Sequence, residues 1–187
     1  MWVHPEKRMC FLANPKTASL ATAFTLQTLG FEHFGDQHAT PAGSGWKHRD
    51  EIDSTWITFC TVRNHFDVLV SWYFHQTQKP GTSKYFGWSF ERFLYEWVLN
   101  PRWFQNDQIY WERYPLCNHV LHYETLQLDF DHVLELRDLP PTQLQVHNVS
   151  KNRKGRSHTV FYSGKSTAFV AEKFGVEMCS LGYGNWS

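Results

Sequence analysis

Apolar and polar positions along this chain alternate between short unbroken runs and helical stripes. Met9 to Ala13 is a continuous apolar run that stops at Asn14-Pro15, the pattern of a buried strand closed by a turn. The segment from Ser19 to Leu29 carries Leu20, Ala23, Phe24 and Leu26 and halts at Gly30, which predicts a helix with a glycine C-terminal cap. FEHFGDQHATP is expected to hold a short second strand ending near His38, and PAGSGWKHRDEIDS reads as a loop. TWITFCTV is a β-branched and aromatic run of buried-strand type. Phe66, Leu69, Val70, Tyr73 and Phe74 then share one helical face, with Asn64 as its N-cap. Further helices are expected over 89–99, 104–114 and 126–136, with a strand in NHVLHYETL and a last short helix in STAFVAEKF. Strands alternating with helices predict one α/β domain over 1–187, a three-layer sandwich on a mainly parallel sheet.

In such sheets ligands bind at the carboxyl ends of the strands. Lys16, His38, Arg63 and Glu124 all follow expected strand ends, so the fold would gather them at one edge. The first of these ends, NPKTAS, is the more specific: a strand, a tight loop with Lys16 and Thr17, and then a helix. Free N–H groups and the positive end of a helix dipole make that arrangement an anion site. The glycines of the G-x-x-x-x-G-K phosphate loop are missing, which argues against ordinary ATP binding.

The 187 residues include 18 Lys+Arg and 18 Asp+Glu. That balance excludes a polycation built for nucleic acid, so any anion site is local. Aromatic residues make up 17% of the chain and include nine Trp. Most belong on core faces, while the surplus Trp and Tyr over 72–114 would suit stacking on sugar rings. Cys10, Cys60, Cys117 and Cys179 are dispersed and read as four reduced thiols. His119 and His122, an i, i+3 pair on a strand, do not form a zinc pattern, and no metal is expected. No apolar run approaches the ~18–20 residues of a membrane span, and no signal-type segment opens the chain. The expectation is a soluble, cytoplasmic protein.

Several separated stretches, in order, resemble the sulfotransferases that use 3′-phosphoadenosine 5′-phosphosulfate (PAPS), especially their carbohydrate-type branch. NPKTAS resembles the 5′-phosphosulfate loop, and TVRNHFDVLVSWY resembles the 3′-phosphate motif. DQHAT, HYETL, VHNVS and FGVEMCSLGY resemble elements between and after them. The resemblance implies a P-loop nucleotide-hydrolase-like sulfotransferase fold. It also implies a PAPS site of Pro15, Lys16, Thr17, Ala18, Ser19, Leu20 and Ala21 at the phosphosulfate, with Arg63 and Ser71 at the 3′-phosphate. KNRKGR resembles the segment that closes over that phosphate in cytosolic members, which adds Arg153, Lys154 and Gly155. Four positions depart from the family pattern: Leu20 and Ala21 replace a hydroxyl pair, His65 a proline and Val68 an arginine.

The chemistry is coherent with these assignments. A donor with two anionic ends needs two cationic clusters, and an Arg fork with a hydroxyl suits a terminal phosphate. Lys16 would stabilise charge on the leaving oxygen. His38, at the family's H-A-T position, would take the acceptor's proton, with His33 and His48 as rivals. Glu124 reads as structural. The acceptor is expected to be a hydroxyl of a glycan or small molecule. Two other readings stay open: a kinase-like nucleoside-triphosphate enzyme, and an inactive anion- or nucleotide-binding module of the same fold. Against the first, the strand before Arg63-Asn64 ends without the Asp that would hold Mg²⁺.

Overall fold

The two most apolar strands lie beside each other at the middle of one sheet. In this computed structural model, which describes residues 1–78, 83–99, 109–110, 113–145, 153 and 155–184, β2 (Met9–Leu12) pairs in parallel with β4 (Ile57–Val62). Every residue of both is buried, as continuous apolar runs with neighbours on both sides require. On one flank β5 (His119–His122) adds in parallel to β4. On the other, β1 (Trp2–His4) pairs antiparallel with β2, and β3 (Glu32–His33) antiparallel with β1. The order is β3-β1-β2-β4-β5.

The sheet is therefore mixed, and the expected mainly parallel sheet is corrected: two of its four pairings are antiparallel. The cause is a tight hairpin that joins β1 to β2. Only antiparallel strands can be joined so briefly. Arg8 sits at φ 50° there, and its N–H donates to the Pro5 carbonyl at 3.0 Å. The second expected strand is also shorter than the pattern suggested, ending at His33 rather than near His38.

The chain divides into two units, Met1–Arg63 with Glu112–His147, and Asn64–Trp111 with Asn148–Ser187. The first holds the sheet with α1 (Ser19–Thr28) and α4 (Leu126–Glu135). Met9, Phe11, Ala13, Ile57, Phe59 and Leu121 point to one face of the sheet, where Leu26 of α1 and Phe130, Val133 and Leu134 of α4 cover them. Gly30 at φ 88° ends α1 as expected. The Gly30 N–H donates to Gln27 and that of Phe31 to Leu26, so both last-turn carbonyls are satisfied and Phe31 folds back onto the core.

The second unit contains α2 (His65–Thr77), α3 (Phe90–Val98) and α5 (Gly164–Ser180). Asn64 caps α2 by accepting from the Phe66 N–H at 3.0 Å. α5 starts in a reciprocal Ser163–Ser166 capping box and runs well past the short helix expected, through Gly175. Its buried residues Val170, Phe174, Glu177 and Met178 explain this, because tertiary burial outweighs the weak propensity of one glycine. Glu177 is 2% exposed, accepts from Ile109 and Tyr110 N–H at 2.6 and 2.9 Å, and pairs with buried His65 at 2.6 Å. Of the Trp and Tyr residues over 72–114, Tyr85, Trp97 and Tyr110 are buried in the core, whereas Trp72, Tyr73, Trp88 and Tyr95 are half-buried. Most of the helix expected over 104–114, and all of VHNVS, lie outside the described residues; Tyr114–Leu116 is a single 3-10 turn. Among the described residues, no helix is long and apolar enough to cross a membrane.

Candidate functional site

β2, β4 and β5 run in one direction, and β3 runs the same way through its antiparallel pairing with β1, so their carboxyl ends share one sheet edge. The segment after β2 is built on a buried polar floor. Asn14, fully buried, donates from Nδ2 to the Thr61 carbonyl of β4 at 2.9 Å, while its Oδ1 has no hydrogen-bond partner among the described residues. The Thr17 hydroxyl, also fully buried, donates to the Asn14 carbonyl at 2.9 Å and meets Thr61 Oγ1 at 2.5 Å. One hydroxyl has one proton, and a carbonyl only accepts, so Thr61 must donate to Thr17. The Thr17 side chain thus secures the loop from below, and what this residue offers a ligand is its backbone.

Above this floor the backbone is held in an uncommon form. Lys16 and Ala18 both take the left-handed conformation, at φ 67° and 63°. For residues with a Cβ this costs about 1–2 kcal/mol each, and such strain collects at ligand-holding turns. Ala18 then opens α1 with no side-chain cap, and its first turn has no acidic residue. The positive end of the helix is therefore not neutralised by a carboxylate of its own first turn. Ser19 and Ala21 are buried in that turn, and Pro15 and Leu20 half-buried beside them.

Arg63, just past β4, closes on this loop. Its Nη1 donates to the Lys16 carbonyl at 3.2 Å, and its guanidinium lies 3.9 Å from the centre of the Tyr123 ring, which follows β5. Stacking restrains the Arg plane, so less freedom would be lost in holding an anion there. Glu124, next to Tyr123, is exposed.

His38 reaches the root of the same loop. Its Nδ1 is 2.7 Å from the Ala13 carbonyl, and its N–H donates to Asp36 Oδ1 at 2.8 Å. Because a carbonyl only accepts, Nδ1 carries the proton and the neutral ring presents Nε2 as a base. Burial lowers the His38 pKa, and the nearby Arg113 cation adds to this against the Ala13 bond and Asp36, so the neutral form is favoured. Of the rivals, His33 packs tilted against Trp2 at 4.6 Å with its Nε2 3.2 Å from the Asp36 carbonyl, and exposed His48 pairs with Glu51 at 2.7 Å. Arg113, which the sequence did not single out, donates from Nε to the His38 carbonyl at 3.0 Å.

The remaining expected residues belong to the second unit. Ser71 is half-buried on α2. Arg153 pairs with Asp67 of α2 at 2.6 Å and donates from Nε to the Arg156 carbonyl, and Gly155 turns the chain at φ 69°. Lys154 lies outside the described residues. Away from these groups, a groove of about 420 Å³ runs along β5 and α4, lined by His119, His122 and His132. Both β5 histidines line it despite their i, i+3 spacing because it follows the strand's edge. Among the described residues no group of three or more ligand-type side chains is placed to hold a metal. Comparison with known proteins finds no matching family model, no matching curated protein and no matching solved structure.

Proposed function

We propose that this protein transfers a sulfuryl group from PAPS to a hydroxyl acceptor, a carbohydrate by the branch it resembles, on a P-loop-like sulfotransferase fold. The observation that supports the reading is the grouping of Lys16, Arg63, His38 and the uncapped start of α1 around one loop of the first unit. A cationic, amide-rich turn matches an anionic donor, and a half-buried base with Nε2 available to accept matches an acceptor that must lose a proton.

The donor supplies an activated sulfuryl group with a stable nucleotide leaving group. The first-turn N–H groups of α1 and Lys16 hold the phosphosulfate, and Lys16 offsets charge on the bridging oxygen as its bond to sulfur breaks. His38 Nε2 accepts the acceptor's proton as the new oxygen–sulfur bond forms. The products are the sulfate ester, adenosine 3′,5′-bisphosphate and a proton left on His38. Arg63 with Ser71, and Arg153, Lys154 and Gly155, are assigned to the 3′-phosphate on the resemblance alone.

The test is direct. Calorimetry with the full chain should show adenosine 3′,5′-bisphosphate binding more tightly than adenosine 5′-monophosphate. Arg63→Ala should remove most of that difference, roughly 1.5–3 kcal/mol. PAPS carrying labelled sulfate should label a glycan in an acceptor panel, and EDTA should not stop it. Equal affinity for the two nucleotides would remove the 3′-phosphate assignment. Bisphosphate binding without labelled product would leave a binding module, and affinity for ATP with Mg²⁺ instead would favour a nucleoside-triphosphate enzyme.

A further inference from the structure

His38 is held at more points than a loop histidine needs. Its N–H is taken by Asp36, its ring Nδ1 by the Ala13 carbonyl, and its own carbonyl by Arg113 through both Nε and Nη2. These partners come from three chain segments: the turn before it, the end of β2, and the residue that precedes the Tyr114–Leu116 turn. Among the described residues, the one polar atom of His38 left without a bond is Nε2. A guanidinium fork closed on a single carbonyl fixes a peptide plane better than one donor would.

We infer that Arg113 is a positioning residue for His38: by clamping its carbonyl it keeps Nδ1–H on Ala13 and Nε2 aimed outward as the proton acceptor. This rests on the reading of His38 as base, but its first consequence is structural and does not depend on turnover. In a free imidazole the proton sits more readily on Nε2, the wrong tautomer for this task. The Ala13 bond reverses that choice only while the ring stays in place, and the ring stays in place only while the peptide does. Arg113 acts on His38 twice, because its fork sets geometry while its permanent charge opposes protonation of the ring. The other charged groups bearing on the ring are the Asp36 carboxylate, which favours protonation, and the Met1 ammonium, which opposes it.

The two effects separate by substitution. Arg113→Lys keeps the charge and loses the fork, whereas Arg113→Gln loses both. The experiment follows His38 in the full-length chain by ¹⁵N-resolved NMR of its ring, assigned by the signals that vanish in His38→Gln. In the unmodified protein the neutral ring should be a single Nδ1–H tautomer that titrates below an ordinary histidine. Arg113→Lys should show mixed tautomers with the low titration retained. Arg113→Gln should show mixed tautomers and a titration moved upward. Where labelled sulfate transfer is measurable, both variants should lose turnover by roughly 10- to 100-fold, the scale of a misplaced catalytic group, with affinity for adenosine 3′,5′-bisphosphate within about twofold. Unchanged tautomer and titration in both folded variants would overturn the inference, even if the protein proves to be a sulfotransferase. The expected spectral changes in a chain that transfers no sulfate would uphold the clamp and discard the catalytic reading instead. If either variant is unstable, Arg113→His, scored by the same tautomer signal, decides in its place: a retained single Nδ1–H ring would overturn the clamp.

Discussion

Replacing Thr17 with Val tests whether the loop after β2 is held from beneath. The substitution preserves shape and removes one hydroxyl from a site with no solvent access. Two bonds go with it, the one donated to the Asn14 carbonyl and the one received from Thr61. The losses are unequal. The first is an ordinary buried hydrogen bond, worth about 1 kcal/mol, while the second leaves the Thr61 proton without an acceptor, at about 1–3 kcal/mol. Thr17→Val should therefore cost about 2–4 kcal/mol. Thr61→Val strands no donor, because Thr17 still bonds Asn14, and should cost about 1 kcal/mol. In the double variant no Thr61 proton remains to be orphaned, so its cost should be about 1–2 kcal/mol rather than the sum. Urea unfolding of the four proteins, compared at constant slope, gives the cycle. A coupling of roughly 1–3 kcal/mol is expected, and single effects that add to within about 0.5 kcal/mol would show that the hydroxyls do not interact.

Other outcomes follow from the same structure. Glu177→Ala strips the acceptor from His65 and from the Ile109 and Tyr110 amides, and should destabilise the protein by about 3–5 kcal/mol in urea, with Glu177→Gln recovering part. Ala18→Val forces a β-branched side chain into the left-handed region and should cost at least ~1–2 kcal/mol, whereas Ala18→Gly should be tolerated. Because the folded-state pKa of His38 is lowered, a pH–rate profile should hold its activity below the ordinary imidazole value of about 6.5. The same shift makes its stability contribution fade as pH falls through that value, since the unfolded chain takes up the proton first.

Strong local patterns made most of the fold legible. The runs of β2 and β4, the cap at Gly30 and the N-cap at Asn64 each stand in one short stretch of sequence and each formed as expected. β1 was hidden because three residues carry no period, and its antiparallel pairing changed the character of the sheet. α5 was read short because Gly175 looks like a stop until the burial beyond it is known. At the site, Lys16 and Arg63 were legible as polar residues after apolar runs, and His38 only through the H-A-T stretch it stands in, because the strand expected to lead to it ends at His33. Arg113 was not: it lies 75 residues from His38 and acts on a backbone carbonyl, which leaves no trace in residue type. The inward direction of Thr17 was equally silent, because a hydroxyl in a loop looks the same whether it faces a ligand or the floor.

The sheet-bearing unit is written in two pieces, and this has a consequence during synthesis. β4 leaves the ribosome roughly 50–60 residues before the strand that pairs with its outer edge. At ~5–20 residues per second, that edge waits about 3–12 s for its partner. For that interval Ile57–Val62, six residues that end fully buried, form an apolar strand with one open side, the kind of segment that recruits another chain. The nascent protein is most exposed to misassembly while residues 64–118 are being made. A fragment cut after Arg63 would carry that open edge permanently, because β5, the strand that closes it, lies beyond the cut.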